Sequence, residues 1–169
     1  MELTESICDT DQYSTRIWRV NGKKHRQDGP AVMFASGREE WWQHNLKHRL
    51  VGPAVIDAGH EEYWQEGLLH RTDGPAMYYT SGSMEWWQQG RLHRTDGPAR
   101  LHSDGSQIWY VNGFQHRSDG PAVVLANGDH FWFMRNVNIT NQVNTWMEKK
   151  SITWPWSDEV QMEFVLTWS

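Results

Sequence analysis

At 169 residues, with 38% apolar side chains but 12 tryptophans, the chain must build its core from few, very large side chains. A net charge of −5 without a dense Lys/Arg run disfavours duplex nucleic-acid binding, and one cysteine, Cys8, excludes an intrachain disulfide framework and a Cys-based zinc site. The acidic start MELTESICDTDQ holds no apolar run of signal-peptide or membrane-span length, so a cytoplasmic protein without a membrane span is expected.

Residues 1–17 read as an N-terminal cap, a partial strand with an acidic tip. One phrase then recurs five times. His25-Arg26 leads into Asp28-Gly29-Pro30-Ala31, and His48-Arg49 into Gly52-Pro53-Ala54. His70, His93 and His116 open the other copies, which carry Asp73, Asp96 and Asp119, and the spacings are 23, 22, 23 and 23 residues. So regular a period implies a stacked array in which each unit buries its apolar surface against its neighbours.

Seven residues before each His stands an aromatic: Trp18, Trp41, Tyr63, Trp86 and Trp109, with Trp132 opening a sixth, incomplete unit. The next residue is aromatic in five of the six units, giving a second column of Trp42, Trp64, Trp87, Tyr110 and Phe133. Turn-formers follow at Gly22, Asn45, Gly67, Gly90 and Gly113, and a second turn recurs at steps such as Ser36-Gly37 and Asp104-Gly105. Two turns per repeat leave room for two strands of roughly 5–7 residues. The expected fold is mainly β: a single-layer antiparallel sheet of stacked β-hairpin repeats, an open solenoid, over residues 18–136. The glycine of the Asp-Gly step, Gly74 for example, is expected to need positive φ.

The order aromatic, turn Gly, His, then a Gly-containing strand start resembles MORN-type repeats. The His-Arg-x-Asp-Gly-Pro-Ala form resembles a variant found in small bacterial and bacteriophage repeat proteins, although the usual pattern has Gly after His where this chain has Arg. The resemblance covers residues 18–136 and implies the stacked-hairpin fold; it carries no activity over.

Residues 137–169 are expected to form a helical C-terminal cap. The stretch 139–150 reads as a helix with Thr140 or Asn141 as N-cap. Trp154-Pro155-Trp156 breaks it, and a second helix opens at Ser157-Asp158-Glu159 with Val160, Phe164 and Trp168 on one face. Both are expected to fold over the last hairpin.

Equivalent residues one hairpin apart lie about 10 Å apart, because strands are spaced by about 4.8 Å, so neighbouring histidines cannot share a metal ion. His25, His48, His70, His93 and His116 are therefore read as structural, each donating to a backbone carbonyl. Asp28, Asp73, Asp96 and Asp119 are read likewise, pairing with the nearby arginines and starting the turn. Repeat two departs, with Leu50-Val51 replacing the polar pair. No asymmetric catalytic constellation stands out, so no enzyme activity, metal or cofactor is expected.

Consecutive strand residues face opposite sides of a sheet, so the two aromatic columns line opposite faces. Either the second column is covered by Lys/Arg stems and the helices, or it forms an exposed aromatic stripe that docks a partner. The leading expectation is a non-enzymatic protein-binding module, an adaptor or inhibitor of phage origin acting on a host protein, with Trp42, Trp64, Trp87, Tyr110 and Phe133 facing the partner. One alternative is a nucleotide or single-stranded nucleic-acid binder with Arg71, Arg94 and Arg117 as anionic-ligand contacts. Another is an enzyme with a site under the helical cap. A monomer or weak dimer is expected.

Overall fold

The computed structural model describes residues 6–168. It is mainly β, with 23 short strands in antiparallel pairs, two helices and an open sheet. The expected acidic N-terminal tip falls partly on residues 1–5, outside the described residues. The chain divides into two compact units, Met1–Arg91 and Leu92–Ser169.

In the first unit the principal sheet runs through Ile7–Thr10, Arg16–Val20, Val32–Met33, Glu39–Glu40, Val55–Asp57, His60–Glu62, Met77–Tyr79 and Met84–Glu85, each antiparallel to the next. In the second it runs through Arg100–Leu101, Gln107–Ile108, Val123–Val124 and His130–Phe131. A row of small hairpins accompanies these strands, such as Trp42–Gln43 with Leu46–Lys47 and Tyr110–Val111 with Phe114–Gln115. Each repeat thus contributes to two ladders, and most strands are two or three residues long rather than the 5–7 expected.

The cause of that split lies at the first aromatic. Trp41 donates its N–H to the Ala54 carbonyl at 2.8 Å, and its own carbonyl accepts the His48 N–H at 3.1 Å. Tyr63 does the same with Ala76 and His70, and Trp109 with Ala122 and His116. The chain leaves the principal sheet at this residue and turns into its own hairpin. Ala31, Ala54, Ala76, Ala99 and Ala122 are fully buried, since a larger side chain would push these crossings apart.

The hairpin tips are two-residue turns with both residues at positive φ: Asn21-Gly22, His44-Asn45, Glu66-Gly67, Gln89-Gly90, Asn112-Gly113 and Arg135-Asn136. This is the turn whose twist matches the flanking strands. Gly74 differs from expectation, for its φ is not in the left-handed region. It is glycine for another reason, given below.

The last hairpin, Phe133–Met134 with Val137–Asn138, ends two residues past position 136. Ile139 takes the histidine place, donating its N–H to the Trp132 carbonyl at 2.9 Å. Helix α1, Thr140–Lys150, follows directly. Ile139 is its N-cap residue and makes no side-chain cap bond. Thr140 does not cap the helix, contrary to expectation. Its hydroxyl accepts the Trp132 N–H at 3.1 Å, replacing the alanine carbonyl that a next repeat would have supplied. Helix α2, Asp158–Trp168, buries Phe164 completely. Together with Trp132, Met134, Ile139 and Val143 it forms the main apolar core of this end, with Trp146, Trp154, Trp156 and Trp168 packed around it.

Candidate binding grooves

The phrase Arg-x-Asp-Gly-Pro folds into a clasp around its own arginine. The Nε of Arg26, Arg71, Arg94 and Arg117 donates to Oδ1 of Asp28, Asp73, Asp96 and Asp119 at 3.0, 2.8, 2.8 and 2.7 Å. Nη1 of each reaches the carbonyl of the following proline, Pro30, Pro75, Pro98 or Pro121. The guanidinium of Arg26 lies 4.3 Å from the Trp18 ring centroid, that of Arg71 4.0 Å from Tyr63 and that of Arg117 4.0 Å from Trp109.

The clasp glycine closes the other side. A Cβ on Gly29, Gly74 or Gly97 would stand 3.0–3.1 Å from the arginine Cζ. Glycine is therefore needed for the close approach of a guanidinium, not for backbone freedom. The arginine bond holds the carboxyls of Asp28, Asp73 and Asp96 below the usual carboxylate range. Arg71, Arg94 and Arg117, the expected anionic-ligand contacts, thus spend these donors within their own loops.

The histidines are acceptors, which corrects the expectation that they donate. Nδ1 of His25, His48, His70 and His93 accepts the N–H of the first turn residue of the following hairpin: His44, Glu66, Gln89 and Asn112, at 3.3, 3.1, 3.2 and 3.0 Å. That geometry calls for the neutral imidazole with its proton on Nε2. Nδ1 of His116 is buried without a partner. Burial, then the neighbouring charge of His44 or Arg135, lowers the pKa of His25 and of His116. Among the described residues no group of three His, Cys, Asp or Glu is placed to hold a metal ion.

Trp42, Trp64, Trp87, Tyr110 and Phe133 are half-buried. The indole N–H groups of Trp42, Trp64 and Trp87 donate to Glu40, Glu62 and Glu85 two residues earlier, at 2.9, 2.5 and 2.8 Å. Lys24 lies 4.4 Å from the Trp42 ring and Lys47 4.8 Å from the Trp64 ring, so lysine stems cover part of this column. The exposed apolar side chains lie elsewhere, as at Leu46, Leu68 and Phe114 on the hairpin edge and at Leu50 and Val51 in the loop of repeat two.

Open grooves separate successive loops. One of about 500 Å³ lies between Asp28-Gly29-Pro30 and Trp41, Arg49 and Leu50. One of about 360 Å³ lies on the other side of Leu50-Val51, against Tyr63, His70 and Asp73. A third, of about 620 Å³, lies between Arg94-Gly97 and Trp109, Val111 and Arg117. The next position in the series is filled from within. Trp154 packs on Gly120, where a Cβ would stand 2.5 Å from the ring, and Trp156 stacks on Trp132 with centroids 6.1 Å apart.

Repeat two is the one loop without its acid, and Val51 occupies the aspartate place. Arg49 still lies 3.8 Å from the Trp41 ring centroid, donates to the Pro53 carbonyl at 2.9 Å and packs on Gly52, whose φ of +90° sets this loop's backbone apart from the other clasps. Arg49 was not among the arginines singled out from sequence. The loss of the acid at Val51 was the signal that distinguishes it. No helix of the described residues is long and apolar enough to cross a membrane. No family model and no curated protein matches this chain.

Proposed function

We propose that the chain is a non-enzymatic, MORN-like protein-binding module, a cytoplasmic adaptor or inhibitor of the kind phages carry against host proteins. The observation that carries this reading is the recurrence of open grooves of 360–620 Å³ between loops whose polar groups are largely committed within the fold. Such a surface offers shape and apolar contact at regular intervals and little free chemistry for catalysis. The expected aromatic column contributes less than the grooves, because its indole N–H groups and part of its ring faces are engaged internally. The exposed Leu46 and Leu68 add apolar contact along the hairpin edge.

Selection from a displayed library of random peptides tests this. Enriched peptides should lose at least tenfold in affinity for a Leu46→Glu/Leu68→Glu/Leu50→Glu variant that melts like the parent. Failure to enrich any peptide, or tighter binding of single-stranded oligonucleotides with a steep salt dependence, would reject the reading in favour of the nucleic-acid alternative.

A further inference from the structure

Repeat two contains a vacated carboxylate position. In the four complete clasps an aspartate meets the arginine Nε at 2.7–3.0 Å, while the ring, the proline carbonyl and the glycine hold the guanidinium in place. In repeat two a ring contact, a proline bond and a glycine also hold Arg49, with Gly52 at a φ of +90° that the other clasp glycines do not adopt, and the side chain at the aspartate place is Val51. Among the described residues no carboxylate pairs with Arg49, and the residue lines both neighbouring grooves. A guanidinium already held by a ring and a carbonyl loses little entropy when an acid arrives.

The surroundings of Arg49 changed in the same direction. Leu50 and Val51 are 77% and 83% exposed, where the other loops present Gln27-Asp28, Thr72-Asp73, Thr95-Asp96 and Ser118-Asp119. Both side chains line the groove of about 500 Å³ on one side and that of about 360 Å³ on the other. Two exposed aliphatic side chains beside an unpaired arginine form a mixed apolar and cationic surface.

The chain's own end shows what else such a position accepts. Over the fifth clasp Trp154 lies against Gly120, 5.8 Å from the Arg117 guanidinium. An indole therefore fits on the outer side of a clasp. From these observations we infer that repeat two is a recognition site for an acidic peptide of a partner protein: a carboxylate completes the Arg49 clasp in trans, and a neighbouring aromatic side chain fills the groove beside Leu50 and Val51. The inference rests on the protein-binding reading and names the class of partner.

A fluorescein-labelled peptide with the sequence of residues 154–159, Trp-Pro-Trp-Ser-Asp-Glu, combines both features and serves as the probe. Fluorescence anisotropy with the full chain should show saturable binding, weakened at least tenfold when Asp and Glu in the peptide become Asn and Gln. Arg49→Gln should cause a similar loss. Val51→Asp is the decisive variant, because it restores the acid in cis. It should melt at the parent temperature or above it and yet lose the peptide. Equal binding by Val51→Asp, equal binding of the neutral peptide, or no binding by the parent at millimolar peptide would each overturn the site. Displacement of the peptide by oligo-dT with a steep salt dependence would overturn it too, assigning phosphate to Arg49 instead. Library-selected peptides that still bind Val51→Asp would remove the Arg49 site but leave the binding module standing; a library that yields none removes both.

Discussion

Two loops of this array depart from the common pattern in opposite ways. At the fifth clasp all the parts are present and the outer side is covered, because Trp154 sits on Gly120 and the Trp156 ring takes the place over Trp132 that arginine takes in other repeats. At the second the acid is missing and two aliphatic side chains stand in water. The difference shows that the clasp separates two jobs. The ring–guanidinium–glycine contact recurs in both loops, whereas the aspartate and the outer surface vary, and where the acid is missing Gly52 takes a φ of +90° that Gly120 does not. A repeat can therefore lose its acid, or gain a cover, and still stack.

The largest effect should come from undoing the covered end. Phe164 is fully buried among Trp146, Trp156 and Trp168, and Phe164→Ala should lower stability by about 3–5 kcal/mol in denaturant unfolding. A loss below about 1 kcal/mol would show that α2 does not hold this end. Next, Gly120→Ala places a methyl 2.5 Å from the rigid Trp154 ring and should cost about 1–3 kcal/mol through overpacking. Gly97→Ala meets only the flexible end of Arg94, at 3.0 Å, and should cost clearly less. Equal losses at the two glycines would mean that Trp154 does not seat on its clasp.

The smallest effect is expected from acid. The pKa of His25 and of His116 is lowered in the fold, so the folded chain binds fewer protons than the unfolded one near the usual imidazole range. Their contribution is fully present above the unfolded value of about 6.5 and is lost as pH falls below it. Melting temperature should therefore decline between pH 7 and 5. The aspartates held low by arginine, Asp28, Asp73 and Asp96, lose their contribution only at more acidic pH, below about 3.9. His116→Gln should flatten the decline, since its Nδ1 has no backbone donor to lose. A melting temperature constant from pH 7 to 5 would reject the lowered pKa of His25 and His116.

Much of this architecture is legible in the order of residues alone. The period, the Asn-Gly turns and the C-terminal helices follow from local chemistry, because turns, caps and alternation depend on neighbours a few positions away. The strand breaks were not legible, since the first aromatic bonds to an alanine carbonyl thirteen residues on and ends the ladder there. Nor was the direction of the histidine bonds, which depends on a turn 18 or 19 residues later.

From its sequence this protein was bound to be a stack of β-hairpins with a helical end, because a 22- or 23-residue repeat of turns and aromatics leaves few other ways to bury so many rings. How each arginine is held was decided by tertiary structure. The missing acid at Val51 is written in the order of residues, and only the folded loop shows Arg49 on the Trp41 ring and the Pro53 carbonyl beside a Gly52 at φ +90°. Pairing is a matter of distance in space, and the sequence states only the residues from which a pair can be made.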